Sequence, residues 1–231
     1  FIYLRHRRSA PPEERLGLAR RSFERAVEQS NDAEACAHLS IMYRHGLGAE
    51  KNLAKARDYL HRALARAKDG YPSPRAHASY GLECMLAGQT DKALHHLLVA
   101  SQGDASRGDA MVNAARLLLR GSASDETLAQ EGIRDVEETA YALLVRATSM
   151  RQTPYRFGFQ SAAHYELARM QATGTGCIEN ADAAFDNMYR AANLGFLPAM
   201  RRVQDLLAEK GRHEELVAFQ ERVRAAEDGK Y

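Results

Sequence analysis

Small and apolar residues recur along this chain at steps of four, then three or four, as they do on one face of a helix. Ala35, Leu39, Met42 and Tyr43 draw such a stripe, and Ala163, Leu167 and Met170 draw it again. Followed from end to end, the period predicts an opening helix near 12–29, unpaired on its outer side. Helix pairs then follow at 32–45 with 52–68, 73–87 with 91–102, 105–120 with 134–150, 160–172 with 181–194, and 197–210 with 212–227.

The stripes are copies of one another. The stretch from Ala35 through Gly46 and Gly48 aligns without a gap on the stretch from Ala163 through Gly174 and Gly176. The match runs on through Asn52 and Asn180, Ala56 and Ala184, and the Arg-Ala steps ending at Ala63 and Ala191. Weaker copies begin at Ala76, Ala110 and Ala199. Each shared residue has a physical reason. Alanine heading the stripe lets two helix backbones approach to about 8–10 Å. Gly46 and Gly174 stand where the first helix must stop in a left-handed turn. Gly48 and Gly176 let the chain reverse, and Asn52 and Asn180 are placed to cap the second helix.

These residues resemble the Sel1-like repeat, a relative of the tetratricopeptide repeat: A-x-x-x-L-x-x-x-Y/M-x-x-G-x-G, a polar linker, then a second helix ending in Ala-Ala. The copies starting at Ala35 and Ala163 fit it well. The others lack the glycine pair, and the third carries an insertion from Gly121 to Asp135. The resemblance implies an all-α fold, a right-handed α-solenoid of about five helix-pair repeats near 32–70, 73–103, 105–150, 160–195 and 197–228. Residues 1–11 then form a basic tail and 12–231 the solenoid. It also implies a platform for protein–protein contacts with no shared catalytic residue to carry over.

Composition fits this picture. Six prolines, no Trp and 45% hydrophobic residues suit a helical core built from small side chains. With 32 basic against 30 acidic residues the net charge is +2, which gives no overall pull toward nucleic acid or an anionic membrane. Cys36, Cys84 and Cys177 are dispersed and read as buried thiols, not as a disulfide or zinc framework. No apolar run is long enough to span a bilayer. The opening, with Arg5, Arg7 and Arg8 and no acid, leans slightly toward a mitochondrial over a cytosolic protein. Membrane contact is expected only through a partner or a preceding segment.

Candidate chemistry is thin. The glycine pairs lack the strand and the Gly-Lys-Ser/Thr ending of phosphate cradles. His95 and His96 are adjacent on a helix and face different ways, and the other histidines, His77 among them, are scattered, so no metal site is expected. The paired acids Glu13-Glu14, Glu137-Glu138 and Glu214-Glu215 open helices, where they favour the positive end of the dipole. No catalytic site, metal or cofactor is predicted.

Partner contacts are assigned to two regions. The segment 150–160 carries Tyr155, Arg156, Phe157 and Phe159, the composition of interface anchors, although for the two phenylalanines tucking beneath neighbouring helices is the favoured alternative. On the first helix of each pair His38, Asn113, Arg116, Glu166 and Arg169 lie off the Ala/Leu stripe and are expected to line the concave side. The expectation is a non-catalytic scaffold binding other protein subunits, as part of a larger complex or its assembly. An RNA-binding helical repeat and a peptide-binding adaptor are the alternatives, and no small-molecule substrate is expected.

Overall fold

Six of the described helices begin on a side chain that closes their first turn. Asp32, Ser73, Ser124, Asp135 and Asn180 each accept a hydrogen bond from the amide three residues on, satisfying a donor that the helix itself leaves free. Asn52 does the same for Lys55 at 2.9 Å. At the other end, Gly46 takes φ +71° and returns its N–H to the Met42 carbonyl. Gly174, its counterpart, has φ +70°.

The computed structural model describes residues 12–67, 73–102, 107–150 and 158–227, and among them are twelve helices and no strand. Residues 1–11, where the basic tail was expected, lie outside this set. None of the helices is long and apolar enough to cross a membrane. The chain divides into two compact units, Phe1–Ser106 and Arg107–Tyr231.

The first unit holds α1 (Pro12–Ser30), α2 (Ala33–His45), α3 (Leu53–Ala67), α4 (Pro74–Leu86) and α5 (Thr90–Ala100). Helix α2 packs on α3 and α4 on α5, while α1 lies against α2, and α4 touches both α2 and α3. Ala35, Cys36, Leu39, Leu60, Ala63 and Ala76 form its centre, with Tyr43 and Val27 at the margin. Ala35 and Ala63 are almost fully enclosed.

The second unit holds α6 (Gly108–Leu119), α7 (Asp125–Gln130), α8 (Val136–Ser149), α9 (Gly158–Thr173), α10 (Ala181–Asn193), α11 (Leu197–Glu209) and α12 (His213–Glu227). The pairs are α6 with α8, α9 with α10 and α11 with α12, and successive pairs touch through α6–α9, α8–α9 and α10–α11. Ala163 and Ala191 are completely buried and Leu167 nearly so. This is the helix-pair repeat that the periodicity predicts. The insertion from Gly121 to Asp135 contains α7, a short helix with no buried residue. Its Ser124 cap and the acids Asp125 and Glu126 suffice for one exposed turn.

The second glycine of each G-x-G pair has a more specific role than reversing the chain. A Cβ on Gly48 would lie 2.6 Å from the Leu16 carbonyl oxygen and 2.7 Å from the Gly17 nitrogen of α1. On Gly176 it would strike the Glu137 carbonyl and come within 2.9 Å of the Glu138 nitrogen of α8. Each glycine is therefore a seat for the backbone of the preceding helix. Arg20 adds a bond to the first seat, its Nε donating to the Gly48 carbonyl at 3.0 Å. By this correspondence α1 stands to α2 and α3 as α8 stands to α9 and α10. It takes the place of a repeat's second helix, where the sequence suggested only an unpaired opening one.

Candidate functional site

Within the second unit, the C-terminal half of α9 and the start of α10 form the wall and floor of an open groove of about 740 Å³. Helices α6 and α11 close its sides. The floor is set by small and apolar residues, Ala168, Ala184, Met188 and Leu206. Ala184 falls on the repeat position shared with Ala56, so the helix crossing that needs a small side chain also hollows out the groove.

Around this floor stand five cations, Arg116, Arg120, Arg169, Arg202 and Lys210, against one carboxylate, Glu166. Glu166 is 7% exposed and accepts from Arg116 Nε at 2.9 Å and Arg169 Nη1 at 3.1 Å. Two guanidinium groups on one carboxylate satisfy a buried charge and leave a positive excess at the rim. Arg202 faces Asp205 at 3.8 Å and Glu209 at 3.4 Å, carboxylates of its own helix. Lys210 sits 4.9 Å over the Phe185 ring, with Arg212 over the same ring at 5.6 Å. Among the described residues neither Arg120 nor Lys210 has a carboxylate partner.

A second groove, of about 460 Å³, lies in the first unit among α2, α3 and α4. Here Arg44 pairs with Glu83, and burial together with the neighbouring Arg57 charge lowers the Arg44 pKa. Leu53, which shares its repeat position with Ala181, is 51% exposed at the edge, and Leu86 is 90% exposed.

The residues expected at the partner surface are only partly brought together. Arg116, Glu166 and Arg169 meet in the larger groove. Asn113 is half-buried on α6. His38 is stacked on Phe23 of α1, ring centroids 4.5 Å apart and planes within 5°, so α1 covers one face of its ring. Phe159 is half-buried, its ring against the bare Gly108 backbone where a Cβ would collide with it; this is the tucked alternative for that residue. Tyr155, Arg156 and Phe157 lie outside the described residues. Residue-by-residue reading overlooked Arg120, Arg202 and Lys210, which stand at helix ends and on α11 and meet only when three successive pairs stack.

The histidines are less scattered than their spacing suggests. His77 of α4 and His96 of α5 share a hydrogen bond between their Nδ1 atoms at 2.9 Å, and the Tyr80 ring stands edge-on to His96 at 4.7 Å. Burial, then the nearby His77 and His95 charges, pull the His96 pKa down to about 4. Burial and His95 lower that of His77, whose Nε2 is enclosed without a partner. This is a polar contact inside a helix pair. No three His, Cys, Asp or Glu among the described residues are grouped to hold a metal ion, and Cys36, Cys84 and Cys177 are free thiols.

Residues 33–67 and 161–196 match the Sel1 repeat family. Among solved structures the chain is similar to a Sel1 repeat protein from Oxalobacter formigenes, with 22% identity and a TM-score of 0.55 over 79% of this chain and 46% of that one. It is also similar to c5321, a protective antigen of uropathogenic Escherichia coli with an SLR fold: 17% identity, TM-score 0.47, 84% of this chain and 45% of that one. The chain thus spans less than half the length of either structure. No curated protein matches it.

Proposed function

We propose that this chain, which carries Sel1 repeats at two places, is a non-catalytic scaffold that holds other proteins, as a subunit or assembly factor of a larger complex. Sel1 repeats typically serve as protein-interaction modules, and stacked helix pairs leave long side-chain surfaces free for that purpose. The observation that carries the reading is the groove of the second unit, where small residues recess the floor and two of the rim cations, Arg120 and Lys210, have no carboxylate partner among the described residues. An open groove with an apolar floor and a charged rim suits a side chain of another protein. Its one buried carboxylate, Glu166, is already bound by two arginines and offers no base for a reaction.

The same groove favours, within this reading, an adaptor that grips a segment of its partner over one that docks on a flat face. Affinity purification of the tagged full chain after mild cross-linking tests the proposal. A companion protein recovered in near-stoichiometric amount is the expected result. A chain that elutes alone, as a monomer, from several sources and salt conditions would overturn it.

A further inference from the structure

We infer that the groove of the second unit binds an acidic protein segment, one that places an apolar side chain on the alanine floor between carboxylates. This rests on the scaffold reading and adds the chemistry of the partner. Charge complementarity is the first argument. Of the five cations on the rim, Arg116 and Arg169 share the one lining acid, Glu166, and Arg202 is paired with Asp205 and Glu209 of its own helix, so the positive excess rests on the other two. Arg120 and Lys210, at the C-terminal ends of α6 and α11, have no carboxylate partner among the described residues. They stand on the two helices that close the sides of the groove, so a ligand seated in it meets a cation on either side.

The floor supplies the second argument. Ala168, Ala184 and Met188 are buried beneath the opening, and about 740 Å³ is within the range of sites that enclose a compact group of side chains. An aliphatic or methionine side chain fills such a floor, and flanking Asp or Glu residues then reach the rim. A nucleic acid would meet the same cations but not the same floor. Stacking of bases needs a free aromatic face, whereas Phe185 is approached by Lys210 and Arg212 and Tyr165 packs beside Phe196, ring centroids 5.1 Å apart.

The test is a display library of random dodecapeptides selected on the immobilised full chain. The expected winners are rich in Asp and Glu beside Leu, Met or Phe. Fluorescence anisotropy of one labelled winner should show binding about tenfold or more weaker to the Arg120→Glu/Lys210→Glu variant. Replacing the winner's acids with their amides should weaken it similarly, as should raising the salt from about 0.05 to 0.3 M, which shortens the screening length. Both substituted side chains are at the surface, so far-UV circular dichroism and melting should match the parent; should they not, the amide and salt arms on the parent decide. Winners without acidic bias, or undiminished binding to a folded variant, would overturn the inference while leaving the scaffold intact. So would an empty selection alongside a partner captured equally by parent and variant. A labelled oligouridylate that binds the parent more tightly than any winner, and is lost in the variant, would assign the groove to RNA instead.

Discussion

At Gly48 and Gly176 two demands coincide: a left-handed backbone, φ +68° and +65°, and a neighbouring helix backbone where a Cβ would stand. Gly46 and Gly174 meet only the first, the nearest atoms to a Cβ there being the Ala49 carbonyl oxygen at 3.5 Å and Glu179 Cβ at 3.4 Å, both of the same loop. Gly46→Ala should therefore cost about 1 kcal/mol, the strain of a left-handed alanine. Gly48→Ala should cost about 2 kcal/mol or more, because α1 must also move. Urea unfolding of the four single variants checks this, and equal losses within each pair would rule out the seat. The alanines at the crossings make a second prediction. Ala35 and Ala163 are 3% and 0% exposed, so Ala35→Leu and Ala163→Leu should each lower stability by roughly 1–3 kcal/mol through overpacking. Melts matching the parent would show that these are not tight crossings. Alignment of the two best copies makes the glycines legible as a pair, but not the difference between them. The second glycine is constrained by a helix more than thirty residues away in each unit, and no local pattern encodes that approach.

Between elements, the contact most exposed to solution conditions is the one joining α4 and α5 through His77 and His96. Their shared Nδ1 bond needs one ring to donate and the other to accept, so the pair is held with at least one ring neutral. Around it, His95 lies on the same turn, the Tyr80 ring is edge-on to His96, and His61 of α3 is edge-on to Tyr80 at 6.3 Å. An unfolded histidine titrates near 6.5, whereas folded His96 titrates near 4. As pH falls the unfolded chain takes up the proton first. The pair's contribution is thus complete above about 6.5, declines between 6.5 and 4, and is lost below 4. The slope is at most about 1.4 kcal/mol per pH unit for one group. Stability of the parent minus that of His96→Gln, measured by chemical unfolding from pH 8 to 4, should narrow across that window. Parallel curves would show that the pair does not titrate on unfolding. Helix positions, by contrast, are legible residue by residue. Caps such as Asp32, Ser73 and Asn180 and stop signals such as Gly46 are local, which is why predicted and observed helices differ by a few residues. His77 and His96 are nineteen apart, and their meeting depends on the angle at which two helices pack.

The whole chain divides between Ser106 and Arg107, and the residues after that point form their own core. Ala168, Met188, Ala191, Met200, Val203 and Leu207 make one buried cluster of α9, α10 and α11, and α6 and α8 join it by packing on α9. The groove, its five cations and Glu166 all belong to this half. Three stacked pairs are enough for a repeat array to bury its apolar faces, and a domain of this size buries about two-thirds of its surface. Residues 107–231 expressed alone should therefore be helical by far-UV circular dichroism, should melt cooperatively, and should keep the peptide affinity of the full chain within about threefold, or 0.7 kcal/mol. A fragment that is folded but has lost the affinity would show that the groove needs residues of the first half. One that is unfolded would show that the two halves share a single core. The repeat pattern makes the stacking legible, since each copy announces one more pair. The site follows from what stacking brings together: Arg116 and Arg120 from one pair, Glu166 and Arg169 from the next, Arg202 and Lys210 from the third. The five cations are ordinary exposed or half-exposed residues on their own helices, and only the assembled array, with Glu166 buried among them, turns them into a charged rim around a floor of alanines.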